Sequence, residues 1–311
     1  MGLKALQVNR ETPLNILFGT DWWSDCDDVA ALDIMLKAHR RGVIALKAIG
    51  VNSVMRYSAP SVKALCEQYA LADIPIGLQT SAARKGLFCL YQKKLASVCR
   101  SDFTNEDCPE AYKLYRRVLS SLQGKAVIAD VGFPTLIKEL LASPPDEYSD
   151  LIGTELVKEK VDEIIVMGGR WDKPVWKEYN FSAYALNREA AAYLCEHCPV
   201  PLTFLGYEVG KTIRTGGKSV AGLTGTAYAA HLSAKGRPSW DPMTALYAIL
   251  GDAETAGYKR VCGTASVNPA TGKNTFHEHG EGNHAYLVKI KDDCFYQTQI
   301  EEVLHLALEE E

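Results

Sequence analysis

Gly19-Thr-Asp-Trp-Trp-Ser-Asp-Cys-Asp-Asp28 follows an apolar run, Asn15-Ile-Leu-Phe18, and opens into Val29-Ala-Ala-Leu-Asp-Ile-Met-Leu36. The stretch reads as a strand end, a loop and a helix start. Four carboxylates, Asp21, Asp25, Asp27 and Asp28, therefore crowd one turn. Like charges at that density raise one another's pKa and cost stability, so keeping them ionised calls for a counter-cation. Hard oxygen ligands on a loop favour Ca2+ or Mg2+ over a soft metal. The competing reading is an acidic helix N-terminus, where Asp caps the helix and complements its dipole. Capping accounts for one or two aspartates and leaves the others unexplained.

Working outward, a helix to about Arg41 hands over to a second apolar strand, Val43 to Ile49. Pro60 to Ala70 reads as helix, Ile74 to Leu78 as extended, Glu110 to Leu122 as helix, and Ala126 to Ala129 as extended ahead of a helix at Thr135 to Leu141. A strand at Glu163 to Met167, a helix at Asn187 to Cys198, a strand at Pro201 to Leu205 and a helix at Pro242 to Leu250 follow. This alternation predicts an α/β fold: a mostly parallel, Rossmann-like sheet with helices on both faces. Arg260 to Ile290 reads as an appended C-terminal β-hairpin, and Gln299 to Glu311 as an amphipathic surface helix. We expect one domain over residues 1–311.

The 34 basic and 38 acidic residues leave a net charge of -4 and no basic stripe, which argues against polymeric nucleic acid as a partner. No segment reads as a signal core or a bilayer span, so the expected location is cytoplasmic, with no membrane partner. Nine scattered cysteines point to reduced thiols. The Cys195-Glu-His-Cys198 pair lacks a second pair to complete a zinc site, and His277-Glu-His279 with His284 read better as solvated hairpin histidines than as metal ligands.

In parallel sheets ligands collect at the carboxyl ends of the strands. Here those ends carry the acidic loop, Asn52-Ser53, Asp130-Val-Gly132, Gly168-Gly169 and Gly206-Tyr-Glu208. Glu178-Tyr-Asn180 follows the strand at Met167, with its two polar side chains facing one way if the segment is extended. Trp240-Asp-Pro242 places an aspartate just before a helix.

With these motifs in this order, the chain resembles the nucleoside hydrolases, calcium-dependent N-ribohydrolases of the inosine and uridine type, from about Asn15 to Leu250. The resemblance rests on the acidic loop followed by Val-Ala-Ala-Leu, on Ile165-Val-Met-Gly-Gly169, on Glu178-Tyr-Asn180 and on Trp240-Asp-Pro242. It implies Ca2+ held by Asp21, Asp28, Asp241 and the Val131 carbonyl, with Asp21 also activating water. It implies ribose contacts from Asp27, Glu178, Asn180, Met167 and Asp241, with Asn52 the substitute for a further family contact. A small-molecule nucleoside or riboside as partner, and a homodimer or homotetramer, follow from the same resemblance. The sequence also departs from the family. Gly19 stands where members usually carry Asp, the loop is longer by two residues, with Trp22, Trp23 and Asp25 where a Pro-Gly turn is common, and Trp240 replaces a histidine proposed to protonate the leaving base.

The chemistry is coherent on its own terms. An oxocarbenium-like transition state calls for carboxylates that stabilise charge and activate water, and for groups that hold the sugar hydroxyls. Glu208, Tyr179 and Tyr207 are the candidates for the missing general acid, and Trp22, Trp23, Trp176 and Trp240 for stacking on a planar aglycone. Two other readings compete with Ca2+-dependent riboside hydrolysis. One is a riboside-binding protein that has lost catalysis. The other is a Mg2+ phosphohydrolase using Asp25-Cys-Asp27.

Overall fold

The computed structural model describes residues 6, 10–82, 86–173 and 178–307. The elements run β1 (Leu14–Thr20), α1 (Asp27–Arg40), β2 (Ile44–Val51), α2 (Ser58–Gln68), β3 (Ile76–Leu78), α3 (Leu90–Ala96), α4 (Ala111–Ser121), β4 (Ala126–Asp130), α5 (Thr135–Leu141), α6 (Gly153–Lys160) and β5 (Val161–Met167). They continue α7 (Tyr179–Ser182), α8 (Ala185–His197), β6 (Leu202–Leu205), α9 (Tyr207–Gly210), β7 (Arg214–Thr215), α10 (Gly222–Ala230), β8 (Arg237–Pro238), α11 (Trp240–Leu250), α12 (Ala253–Ala256), β9 (Tyr258–Val267), β10 (Asn274–Glu278), β11 (His284–Lys289) and α13 (Asp293–Leu304).

The main sheet has strand order β10-β9-β11-β6-β5-β4-β1-β2-β3. Every neighbour from β11 to β3 is parallel, and β9 pairs antiparallel with both β11 and β10. The chain leaves β1 toward β2 and β3, then returns to β4 on the other side of β1, so the order reverses between β1 and β4. That reversal is where an open α/β sheet leaves a crevice for ligand.

Alternation along the central strands sorts side chains to two cores. Ile16 and Phe18 of β1 and Ile165 and Met167 of β5 join the layer with α1, α2, α11 and α13. Leu17 of β1 and Ile164 and Val166 of β5 join the layer with α4, α5, α6 and α8. Burial on both faces explains why these strands read as continuous apolar runs.

The expected C-terminal hairpin is present as the β9–β11 pair, with β10 added outside β9 and β11 joined to β6. His284 differs from expectation. It is buried, and burial lowers its pKa while Nδ1 accepts the Ala265 amide at 3.0 Å. His277 and His279 are exposed. The last helix also starts earlier than Gln299, because the Asp292 carboxylate caps it by accepting the Phe295 amide at 2.9 Å. It buries Tyr296, Ile300, Val303 and Leu304, and residues 308–311 of the expected span lie outside the described residues. Cys195 and Cys198 are free thiols; Cys195 is buried, and the Cys198 thiol donates to the Val200 carbonyl at 3.3 Å. Among the described residues no helix is long and apolar enough to cross a membrane.

Candidate active site

The acidic loop leaves β1 at the strand-order reversal and is fastened from several directions. Trp22 has φ 46, a left-handed conformation uncommon for a bulky residue, and it is fully buried. Its indole donates to Ser61 Oγ at 2.8 Å and meets Tyr91 edge-on, while Gln92 donates to its carbonyl. His231 Nε2 bonds the Ser24 carbonyl at 2.8 Å. Such anchoring holds a strained residue in place.

The aspartates are positioned by different means. Asp28 accepts from the Thr20 hydroxyl and from the Trp22 amide at 3.1 Å, which ties the first turn of α1 back to the end of β1. Asp21 Oδ1 accepts the Trp23 amide at 3.1 Å. Asp241 lies in the first turn of α11, which packs along α1, and its amide reaches Asp27 Oδ2 at 3.4 Å. Two helix N-termini therefore converge here, each favouring negative charge. Cys26, the N-cap of α1, makes no side-chain cap, so simple capping does not explain the cluster.

One cavity of about 280 Å³ is lined by Asp21, Asp25, Asp27, Asp28 and Asp241 together with Val131, Met167, Glu178, Asn180 and Trp240. Burial raises the carboxyls of Asp21, Asp27 and Asp241 well above the ordinary range, and the neighbouring aspartates push each of them further. Asp28 is pushed up to about 7 by burial and then by Asp25. One oxygen from each of Asp25, Asp28 and Asp241 lies within 4.8 Å of the other two. Converging carboxylate oxygens whose charges repel suit a hard divalent cation, so the donor set fits such an ion. Arg237 from β8 reaches the same cluster. Its Nη2 is 2.6 Å from Asp25 Oδ2 and its Nε is 3.0 Å from Asp27 Oδ1. A nucleophilic role for Asp25, as in the phosphohydrolase reading, meets this ion pair.

The sugar side of the cavity is built from β4, β5 and α7. Asn180 Nδ2 donates to the Val131 carbonyl at 3.0 Å and to the Met167 carbonyl at 3.1 Å, binding the ends of β4 and β5 together. Glu178 is a helix N-cap instead of part of an extended segment: its carboxylate accepts the amides of Asn180, Phe181 and Gly169, each at 2.9 Å. Burial still raises it to about 6, partly offset by those amides. The sequence spacing suggested strand geometry, and capping chemistry decided otherwise.

Asn52 does not line this cavity. Its Oδ1 accepts the Phe133 amide at 3.0 Å, its Nδ2 donates to Asp130 at 3.3 Å, and it borders a separate cavity beside Phe133. Asp130 explains the unusual Gly19. The two residues pair across β1 and β4, and a Cβ on Gly19 would lie 2.3 Å from Asp130 Oδ2. The space beside Gly19 is thus filled by a carboxylate from the adjacent strand. Gly132 likewise has no room for a side chain, since a Cβ would lie 2.3 Å from the Asp21 amide nitrogen.

The tryptophans divide. Trp22 belongs to the core. Trp240 lines the cavity, stacks on Tyr207 at 5.5 Å and 25°, and donates from its indole to the Tyr207 carbonyl at 2.8 Å. Trp23 meets Phe133, Tyr179 and Tyr184, with each ring centroid 5.9 Å from its own. Trp176 lies outside the described residues. Of the candidate acids, Tyr179 and Tyr207 line the cavity, whereas the Glu208 carboxylate turns to the Trp171 amide, 3.3 Å away. Sequence reading missed Arg237, and it placed Asp130 at a strand end without its contact with Gly19. Arg237 lies just upstream of Ser-Trp-Asp-Pro, close enough in sequence to have drawn notice, while the role of Asp130 depends on strand pairing.

No protein-family model matches the chain, and no curated protein matches its sequence. Solved structures do match. The type III effector protein XopQ, solved with adenosine diphosphate ribose, has 16% identity and a TM-score of 0.66, with 97% of this chain and 96% of that chain covered. The inosine-uridine preferring nucleoside hydrolase of Bacillus anthracis has 13% identity and a TM-score of 0.61, covering 94% of this chain and 100% of that one. The purine-preferring ribonucleoside hydrolase of Gardnerella vaginalis has 14% identity and a TM-score of 0.66, with the same coverage of 94% and 100%. Across nearly its whole length, then, this chain has the fold of the nucleoside hydrolases.

Proposed function

We propose that the protein hydrolyses the N-glycosidic bond of a ribonucleoside or related riboside, with Ca2+ as its metal. The observation that carries this reading is the single cavity at the β1/β4 reversal, which joins the aspartate cluster to Glu178 and Asn180. The structural likeness to nucleoside hydrolases, and to a protein solved with a ribose-containing ligand, supports it.

Asp28 and Asp241 would hold the cation with Asp25, whose oxygen converges with theirs, and with Asp21 and the Val131 carbonyl from the lining of the same cavity. When bound, a divalent cation of this kind lowers the pKa of a coordinated water. Asp21 accepts the proton of the attacking water. Asp27, Glu178 and Asn180 hold the ribose hydroxyls, so that binding energy orients the anomeric carbon. The surrounding carboxylates stabilise the positive charge that develops on the sugar. Trp240 and Tyr207 offer a stacked aromatic wall to a planar aglycone.

Three features of the cavity favour a second reading, a riboside-binding protein without turnover. Trp240 lines the cavity, the Glu208 carboxylate faces the Trp171 amide, and among the described residues no histidine lines the cavity. Release of ribose from a panel of nucleosides and from p-nitrophenyl riboside, with and without chelator, separates the two. The aryl leaving group needs little protonation, so it reports on the sugar and metal site alone. Chelator-sensitive release supports the hydrolase. Binding of a riboside with no release from any substrate favours the second reading.

A further inference from the structure

We propose that Arg237 is a built-in counter-cation of the aspartate cluster, a positioning residue that holds Asp25 and Asp27 and competes with the metal for their charge. The inference rests on the metal-site reading above. Its argument starts from electrostatics. Five aspartates line one cavity, and among the described residues Arg237 is the basic side chain that lines it. Its two nitrogens contact two different aspartates, Asp25 at 2.6 Å and Asp27 at 3.0 Å. The ion pair with Asp27 joins a carboxylate that is 1% exposed to a guanidinium that is 14% exposed. Such a contact is only weakly screened by solvent.

The way Arg237 is delivered matters as much as its contacts. It does not come from the main sheet, from the loop that carries Asp21 and Asp25, or from α1 or α11, which carry Asp27, Asp28 and Asp241. It comes from the separate β7–β8 ribbon, where it pairs with Thr215. The ribbon is tied at its edges by Arg214 Nη2 to the Gly236 carbonyl at 2.9 Å and by Thr215 Oγ1 to Ser239 Oγ at 2.7 Å. The guanidinium also lies over the Trp240 ring at 6.0 Å. It therefore links the metal-side carboxylates to the aromatic wall.

Asp25 occupies two arrangements at once. Its carboxylate is paired with Arg237, and an oxygen of it belongs to the group with Asp28 and Asp241. A cation bound among those oxygens and the guanidinium repel each other, and both draw on the same negative charge. Removing the guanidinium should thus have opposite effects in the two states. The metal-free protein loses its counter-charge and becomes less stable, while the metal gains affinity. A purely structural arginine would lower both.

The test compares chelator-stripped wild type and Arg237→Gln by calorimetric titration with Ca2+ and by thermal melting with and without saturating Ca2+. The expected result is at least tenfold tighter Ca2+ binding by Arg237→Gln, a lower midpoint when stripped, and a midpoint gap that narrows on saturation. If wild type binds Ca2+ and folded Arg237→Gln binds it equally or more weakly, the inference is overturned while the metal reading stands. If wild type binds no Ca2+, the metal reading fails and the competition falls with it. Should Arg237→Gln not fold, Arg237→Met takes its place. Methionine likewise removes the charge while keeping an unbranched stem, so tighter Ca2+ binding than wild type is again expected. Wild-type or weaker affinity in that folded variant again overturns the inference.

Discussion

Asp130→Asn isolates the cost of the carboxylate that fills the space above Gly19. Burial pushes the Asp130 carboxyl from 3.8 up to about 7, partly offset by the Gly132 amide and the Asn52 side chain. A carboxyl raised on folding is protonated more readily in the folded chain than in the unfolded one. Stability therefore falls as pH rises between the two pKa values, and the loss is complete above the folded value. From pH 5 to pH 8 this one group should cost the wild type about 2.5 kcal/mol. Asparagine retains an Oδ1 for the Gly132 amide, 2.9 Å away, and for Asn52. Its new amide replaces Oδ2, which is buried without a hydrogen-bond partner, at a pH-independent cost of about 1–3 kcal/mol. Urea unfolding of both proteins in chelator, followed by tryptophan fluorescence, reads the difference at each pH. Other raised carboxyls titrate in the same window but cancel between the two proteins. The Asn variant should gain on wild type by about 2.5 kcal/mol from pH 5 to pH 8. A difference that stays constant across that range would refute the reasoning.

The pairing of Gly19 with Asp130 predicts a swap. Gly19→Asp alone puts a second carboxylate into a filled space and should cost about 3–5 kcal/mol, and adding Asp130→Gly should recover most of it; strictly additive melting shifts would sink the idea. Asp21→Ala and Asp241→Ala should each abolish Ca2+ binding and riboside turnover while leaving the circular dichroism unchanged. Hydrolysis at the native rate by either variant would mean that the site is misplaced. Trp22→Ala should destabilise by about 3–5 kcal/mol, because it empties a fully buried site, whereas Trp23→Ala should cost clearly less. Equal losses of melting temperature in the two variants would contradict this division.

The acidic loop was legible because its chemistry is local. An apolar strand, four aspartates and an apolar helix in succession announce a strand end with an unbalanced charge, whatever surrounds them. The parallel sheet was legible for a related reason, since β1, β4 and β5 are buried on both faces and read as apolar runs. Boundaries slipped where a capping side chain set them, as at Asp292 ahead of α13 and Glu178 ahead of α7.

Composition and pattern by themselves determined the α/β class, the strand ends that gather polar residues, and the residues Asp21, Asp27, Asp28, Glu178, Asn180 and Asp241 that share one cavity. Only the tertiary structure decided which neighbours those residues meet. It placed Asp130 over Gly19, turned Asn52 toward Phe133 and Glu208 toward Trp171, buried Trp22, and brought Arg237 from a separate ribbon onto Asp25 and Asp27. The physical reason is range. Periodicity and capping act over a few residues, whereas strand order and the approach of a ribbon bring together side chains far apart in the chain.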